Sequence, residues 1–315
     1  MNTALLPHTI SVVIPCYNAD SSVAAAIESA LRQTYRSVQV IVVDDGSTDG
    51  SIDVIRGFGD RITTVIQENR GPGPARNRGI EEACGEFLAF LDADDYWRDD
   101  CLDHLSTALV ESNADIAYCG WQNVGAPGGR GEPYVPPDYE ALDKVERFLA
   151  GCPWPIHACL LRTEQVHAIG GFDERWSTSM DYDLWLRLAT HSRLVLVPEV
   201  LAFYCHHGES QITSNRARVT RNRWQIQRAF LAAFPDVVAH LGKYRLSELI
   251  EGEVLRRAYT CFWARDLVGA QAIFRLALRA GGWGVRDLKY LIPSLLPSAW
   301  FRAIVAAVDG APTES

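Results

Sequence analysis

Three carboxylates crowd the end of an apolar run at Phe90-Leu91-Asp92-Ala93-Asp94-Asp95. Acids this close repel one another unless water, a cation or a base compensates them. An oxygen-rich set of this kind suits Mg²⁺ or Mn²⁺, which in turn suits a diphosphate. A solvated acidic turn explains the same residues. A second acid pair, Asp44-Asp45, closes another apolar run, where a carboxylate can accept a hydrogen bond from a nucleobase N–H. Helix capping explains Asp49 well and the pair less well, because both precede the cap. Pro15-Cys16-Tyr17 ends a third run and offers Tyr17 either as a platform for a flat base or as ordinary packing.

Gly71-Pro72-Gly73-Pro74-Ala75-Arg76 has some of the glycines of a dinucleotide fingerprint, but Arg76 stands at the third glycine and the loop follows the third strand, which argues against a dehydrogenase. Such a loop at a helix start can still hold a phosphate through backbone N–H groups, with Arg76 and Arg78 adding charge-assisted bonds. Asp181 falls in the first turn of a helix whose buried face is Leu184, Trp185 and Leu188. An acid is favourable there for dipole reasons alone, and it is also placed to take a proton from a sugar hydroxyl. His206 and His207 follow an apolar strand, and adjacent residues face opposite ways, so at most one of them points into a site.

The elements that must position these groups alternate strand and helix with short links, the pattern of a doubly wound, mostly parallel sheet. Strands are expected at 10–14, 40–43, 62–66 and 86–91, each placing a polar segment at its carboxyl end, where open α/β sheets collect ligands. Helices are expected after residue 20 and through Ile52 and Ile55, and Gly71 to Ala83 is expected to be a Gly-rich loop entering a helix that Gly85 stops. A helix through Leu102, Leu105 and Leu109, a strand at 116–119, a Gly/Pro-rich loop at 125–137, a helix through Ala141 to Leu149 and a strand at 200–204 follow. Beyond about residue 215 long helical patterns take over, first rich in arginine. A helical hairpin is expected around Tyr259, Phe262, Ala270, Phe274 and Leu278.

The chain has 315 residues, is 48% hydrophobic and 22% charged, and carries a net charge of −9, the profile of a globular enzyme rather than a nucleic-acid binder. Its eight cysteines form no Cys-x-x-Cys pair and several lie in apolar runs, which points to reduced thiols and a cytoplasmic setting. The first ten residues lack the pattern of a signal peptide, and no run of about 18 apolar residues suggests a membrane span. Trp283, Leu291, Leu295, Leu296, Trp300 and Phe301, beside Arg279, Arg286, Lys289 and Arg302, suit either contact with a membrane surface or packing, including against a homodimer partner.

In order along residues 9–210, SVVIPCYNA, VVDDGSTDGS, ARNRGI, GEFLAFLDADD and GGFDE with DYDLWLRLA resemble the family 2 inverting glycosyltransferases. The resemblance implies the GT-A fold, a Rossmann-like, mostly parallel sheet flanked by helices, with a helical region at the C-terminus. It implies a nucleotide-binding half at 1–115, an acceptor half at 116–215 and helices at 216–315. It also implies a nucleoside-diphosphate sugar donor (a UDP-sugar above others), a saccharide or lipid-linked saccharide acceptor of the kind used in surface polysaccharide biosynthesis, and Mg²⁺ or Mn²⁺. Carried over residue by residue, donor contacts are expected from Pro15, Tyr17, Asp44, Asp45, Arg76, Asp92 and Ala93, cation ligation from Asp92, Asp94, Asp95 and His207, and base catalysis from Asp181. Relatives usually carry Glu immediately before the base, where this chain has Met180. That departure keeps open a catalytically silent nucleotide-sugar-binding or scaffold protein of the same fold. A sugar nucleotidyltransferase fits less well, because Pro15-Cys16-Tyr17-Asn18 is a poor activation loop.

Overall fold

The computed structural model describes residues 5–125, 131–189, 191–206 and 215–309. The chain divides into two compact units, Met1–Gln211 and Ile212–Ser315.

In the first unit the strands are β1 (Leu6–Cys16), β2 (Val38–Asp44), β3 (Thr63–Ile66), β4 (Gly85–Phe90), β5 (Tyr96–Trp97), β6 (Ile116–Val124), β7 (Cys159–Arg162) and β8 (Leu194–Cys205). They form one sheet in the order β3-β2-β1-β4-β7-β6-β8-β5. Ile10, Val12, Val13 and Ile14 of β1 and Val40 to Val43 of β2 are buried, the continuous apolar run of a strand covered on both faces. β1 runs parallel to β2 and β4, and β2 to β3. β7 is antiparallel to both β4 and β6, and β8 is parallel to β6. Two reversals cancel, so β1, β2, β4, β6 and β8 all end at the same edge of the sheet. That edge collects the segments after Cys16, Asp44, Phe90 and Cys205.

The helices of this unit are α1 (Val23–Leu31), α2 (Ser51–Arg56), α3 (Pro72–Glu82), α4 (Cys101–Glu111), α5 (Lys144–Ala150), α6 (Thr163–Ala168) and α7 (Met180–Ala189). Three sequence expectations need correction. Gly85 does not stop α3, which ends at Glu82 with an extended Ala83. It starts β4 instead, where a Cβ would lie 2.6 Å from the Thr9 carbonyl and 2.8 Å from the Ser11 nitrogen, so only glycine lets β4 close on β1. The helix expected from Ala141 begins at Lys144, because the Asp143 side chain accepts from Glu146 N–H (3.0 Å) and caps it there. β8 also starts earlier than 200, its register against β6 shifting after Cys119 to accommodate Pro198 and Glu199.

The second unit is helical: α8 (Arg216–Ala233), α9 (Pro235–Val238), α10 (Gly242–Trp263), α11 (Leu267–Ala280), α12 (Leu288–Ser294) and α13 (Ser298–Asp309). α10 and α11 form the expected hairpin, its second helix capped by Asp266, which accepts from Gly269 N–H at 2.9 Å. Its core joins Val254, Ala258, Cys261, Ile273, Phe274 and Ala277 to Leu291 of α12 and Phe301 and Val305 of α13. Among the described residues no helix is long and apolar enough to cross a membrane.

Candidate active site

The acidic turn leaves the sheet directly: Leu91 N–H donates to the Val13 carbonyl (3.0 Å), extending β4 past Phe90, and Asp95 N–H closes the turn on the Asp92 carbonyl (3.0 Å). Asp92 and Asp94 are half-buried, and Ala93 and Asp95 are buried. Arg76, itself buried in α3, donates to Asp92 Oδ1, and its guanidinium carbon lies 5.5 Å from the centroid of the Phe172 ring. Phe172 meets Phe90 edge-on at 5.1 Å. A buried planar cation that lies over a ring and donates to a carboxylate has little freedom left, so Arg76 is a fixed positive charge beside the turn.

Asp95 differs from its neighbours. One oxygen accepts from Cys205 N–H of β8 (2.7 Å), and the other lies 2.9 Å from His157 Nδ1, with both side chains almost wholly shielded from water. The sequence reading grouped it with the cation ligands; the fold aims it inward because the turn alternates directions, sending Asp92 and Asp94 to the edge and Asp95 under it. Burial opposes charge on His157, yet Asp95 and, more weakly, Asp92 and Asp94 hold its pKa above the ordinary histidine value. His207, the fourth expected ligand, lies outside the described residues.

At the neighbouring strand ends Asp44 and Asp45 are both buried but are used differently. Asp45 accepts from Gln67 Nε2 (2.7 Å), Arg70 N–H (2.9 Å) and Gly71 N–H (2.7 Å), fixing the loop that leads into α3. Asp44 Oδ2 accepts a long bond from Ser47 N–H (3.3 Å), while Oδ1 has no hydrogen-bond partner among the described residues. Pro15 pairs in register with Val43, and Tyr17, half exposed, follows at the end of β1. Asn18, in the left-handed region at φ 49°, ties this loop to the next: its Oδ1 accepts from Thr48 N–H (2.8 Å) and its N–H donates to Ser47 Oγ (3.0 Å).

Asp181 lies in the first turn of α7. Burial pushes its carboxyl above the ordinary carboxylate range, Arg76 opposes this and Asp92 adds to it, so the three groups share one electrostatic neighbourhood. Cys152 Sγ approaches Asp181 Oδ2 at 3.8 Å. Met180 is buried, and its sulfur lies 3.7 Å from where a side chain on Gly73 of α3 would start. α7 is tethered through Arg187, which bonds Asp183 (2.8 Å), the Ile169 carbonyl (2.9 Å) and the Gly171 carbonyl (2.8 Å). Asn77 of α3 grips the same GGFDE segment, donating to the Phe172 carbonyl (2.9 Å) and accepting from Phe172 N–H (2.8 Å). Gly171 has φ +71°, and a Cβ there would meet Asn77 Oδ1 at 2.7 Å. The segment is the strap that brings Asp181 to the Arg76–Asp92 pair.

The structure therefore joins Arg76, Asp92, Asp94 and Asp181 around one edge of the sheet, with Tyr17, Asp44 and Asp45 at adjacent strand ends. It adds Tyr204, whose hydroxyl is raised well above the ordinary phenol value by burial and then by Asp95, Asp92, Asp94 and Asp181. It also adds His157, whose ring stacks on Tyr204 at 5.8 Å, and Cys152. No local pattern marks these three; only the placement of β8 and the 152–157 segment beside the turn does. Among the described residues no group of three or more His, Cys, Asp and Glu forms a ready-made metal cage. Two part-exposed carboxylates on one turn still fit Mg²⁺ or Mn²⁺, which keep waters and take substrate phosphate oxygens alongside one or two protein ligands.

Residues 11–162 match the model of the family named Glycosyl transferase family 2. An uncharacterized glycosyltransferase of Rickettsia typhi is 33% identical over 198 residues, 61% of this chain and 62% of that protein. Bacillus subtilis TuaG, named for teichuronic acid biosynthesis, is 29% identical over 226 residues, 70% of this chain and 87% of its own length. Similar solved structures include Staphylococcus aureus TarS 1-349 in complex with UDP-GlcNAc (17% identity, TM-score 0.63, 97% of this chain and 93% of that one). A Pyrobaculum calidifontis mannosyltransferase with GDP-Man and Mn²⁺ is also similar (19%, TM-score 0.57, 95% and 86%). The chain thus spans less than two thirds (62%) of the length of the Rickettsia typhi protein and 87% of TuaG. With the family match seated on this sheet and its ordered motifs on one edge, residues 11–162 form a glycosyltransferase family 2 domain, and the chain has the GT-A fold.

Proposed function

We propose that this protein transfers a sugar, with inversion, from a nucleoside-diphosphate donor, a UDP-sugar above others, to a hydroxyl of a saccharide or lipid-linked saccharide in surface polysaccharide biosynthesis. The observation that carries the reading is the division of carboxylates. Asp92 and Asp94 stand on the turn beside a fixed arginine, while Asp181 is a separate acid with a raised pKa in the same neighbourhood. Asp181 accepts the proton of the acceptor hydroxyl as its oxygen bonds to the anomeric carbon and the bond to the diphosphate breaks. Arg76 meets the charge that develops on the departing diphosphate. Asp44, whose Oδ1 has no hydrogen-bond partner among the described residues, would supply the acceptor for a base N–H and Tyr17, at the end of the adjacent strand, a flat surface, whereas Asp45 fixes the loop that leads into α3. Asp92 and Asp94 would hold Mg²⁺ or Mn²⁺, which when bound supplies Lewis-acid stabilisation of the leaving group. Residues 116–215 supply the acceptor side.

The neighbours that hold UDP-GlcNAc and GDP-Man support a nucleotide-sugar donor, and TuaG supports a polysaccharide setting. The test is a panel of nucleotide sugars assayed for hydrolysis and transfer with and without divalent cation. Cation-dependent release of the nucleoside diphosphate from one donor class supports the proposal. Donor binding with neither hydrolysis nor transfer across the panel and a broad acceptor set replaces it with a silent binding protein.

A further inference from the structure

The helical unit buries one side of its last two helices and leaves the other side both apolar and basic. Leu291, Phe301 and Val305 enter its core. On the outside, Ile292, Leu295 and Trp300 are 58%, 63% and 65% exposed, and Ile304 and Trp283 are also open to solvent. Single exposed apolar residues are ordinary, but four large ones within thirteen residues of two consecutive helices need a reason. Nor do they lie on a loose tail. The bend between α12 and α13 is clamped by α11: Gln271 Nε2 donates to the carbonyls of Ser294 (3.0 Å) and Leu296 (2.8 Å), and Arg275 donates to the same two. Leu295 is thereby projected from a fixed turn.

The charge around this stripe runs against that of the molecule. Residues 275–309 hold five cations (Arg275, Arg279, Arg286, Lys289, Arg302) against two carboxylates (Asp287, Asp309), in a chain of net charge −9. Arg279, Arg286, Lys289 and Arg302 are exposed, and none pairs with a carboxylate among the described residues. Two tryptophans, branched aliphatics and unpaired cations on short helices are the composition of a segment lying in a membrane interface, rings and aliphatics at the acyl boundary and cations at the headgroups.

We propose that the α12–α13 face docks on the surface of an anionic phospholipid bilayer. The proposal goes beyond the transfer reaction and stands or falls separately from it. Neither helix can span a bilayer, so the attachment is peripheral and weakens with salt.

The test is co-sedimentation of the full chain with vesicles of phosphatidylcholine alone or mixed with phosphatidylglycerol, at low and high salt. The expected result is binding to the mixed vesicles that falls with salt. A Lys289→Ala/Arg302→Ala variant should bind roughly thirty-fold more weakly at low salt, since each cation near the surface contributes roughly a five-fold factor. Leu295→Ser/Trp300→Ser should lose binding at both salts with an unchanged thermal midpoint, because both side chains are outside the core. Absence of binding to the anionic vesicles overturns the proposal, as does equal binding by wild type and both variants. Dimerisation in solution that Leu295→Ser/Trp300→Ser abolishes, without vesicle binding by the wild type, assigns the face to a second copy of the chain instead.

Discussion

Asp95 Oδ2 stands 2.9 Å from His157 Nδ1 in a position water does not reach, directly beneath the turn that presents Asp92 and Asp94. The other Asp95 oxygen holds the Cys205 backbone, so one buried carboxylate ties the turn to β7's flank and to the end of β8. The acid cluster is thus two devices: an outer pair, to which the proposed function assigns the chemistry, and an inner acid that fixes where the pair stands.

This division predicts opposite phenotypes for adjacent substitutions. Asp95→Ala strands a buried histidine and a buried backbone N–H, and should cost about 3–5 kcal/mol in urea unfolding. Asp94→Ala, at the sheet edge, should cost markedly less stability than Asp95→Ala and abolish turnover. A structural cost for Asp94→Ala as large as that for Asp95→Ala would remove the distinction.

Asp44 and Asp45 should separate in the same way. Asp44→Asn replaces one of two acceptor oxygens with an amide donor, and should weaken nucleotide binding by about 1.5–3 kcal/mol, roughly ten- to hundred-fold in Kd, whichever sugar is attached. Asp45→Asn should instead loosen the loop its carboxylate holds through Arg70 and Gly71 N–H, lowering the thermal midpoint. Calorimetric titration of the free nucleoside diphosphate, beside melting curves, distinguishes them.

Much of this was legible in the sequence. Runs such as Val40-Ile41-Val42-Val43 are apolar on both faces and admit little but a buried parallel strand, so the strand ends and their polar cargo followed. The acids that gathered at those ends could be named as a set. What one dimension could not separate was Asp94 from Asp95, because their difference is the direction of successive side chains around a turn. Asp44 from Asp45 was hidden for the same reason. His157, Tyr204 and Cys152 were invisible because β8 and the 152–157 segment reach the site by tertiary packing alone. The start of α5 was missed because a single side-chain cap, Asp143, outweighed an apolar pattern that began earlier.

Turnover should require a divalent cation, with Asp92 and Asp94 as its protein partners. Dialysis against EDTA should abolish transfer, and added Mg²⁺ or Mn²⁺ should restore it in the wild type but not in Asp92→Asn or Asp94→Asn. Because Asp92 also holds Arg76, Asp92→Asn should weaken nucleoside-diphosphate binding even in the chelated protein. Full activity after rigorous chelation would exclude the role given to both aspartates.

Asp181 yields two signatures that need not agree unless it is the base. Its pKa in the folded protein lies above the ordinary carboxylate value, through burial and the nearby Asp92 and against the pull of Arg76. As a base it must be ionised, so kcat/KM should fall as pH drops through this raised pKa, at a pH above the ordinary value near ~3.9. Asp181→Asn should remove transfer while leaving donor affinity within about three-fold, since the side chain acts on the acceptor hydroxyl. The stability effect carries the opposite sign. The unfolded chain releases this proton at lower pH than the folded one, so ionised Asp181 destabilises the fold above its folded pKa, and the penalty vanishes below the unfolded pKa. Asp181→Asn should accordingly melt higher than the wild type at pH 7 to 8, with the gap closing as pH falls into the carboxylate range. A variant that loses transfer and also melts lower at neutral pH would point to a structural role for Asp181, and near-normal transfer by Asp181→Asn would end its assignment as the base.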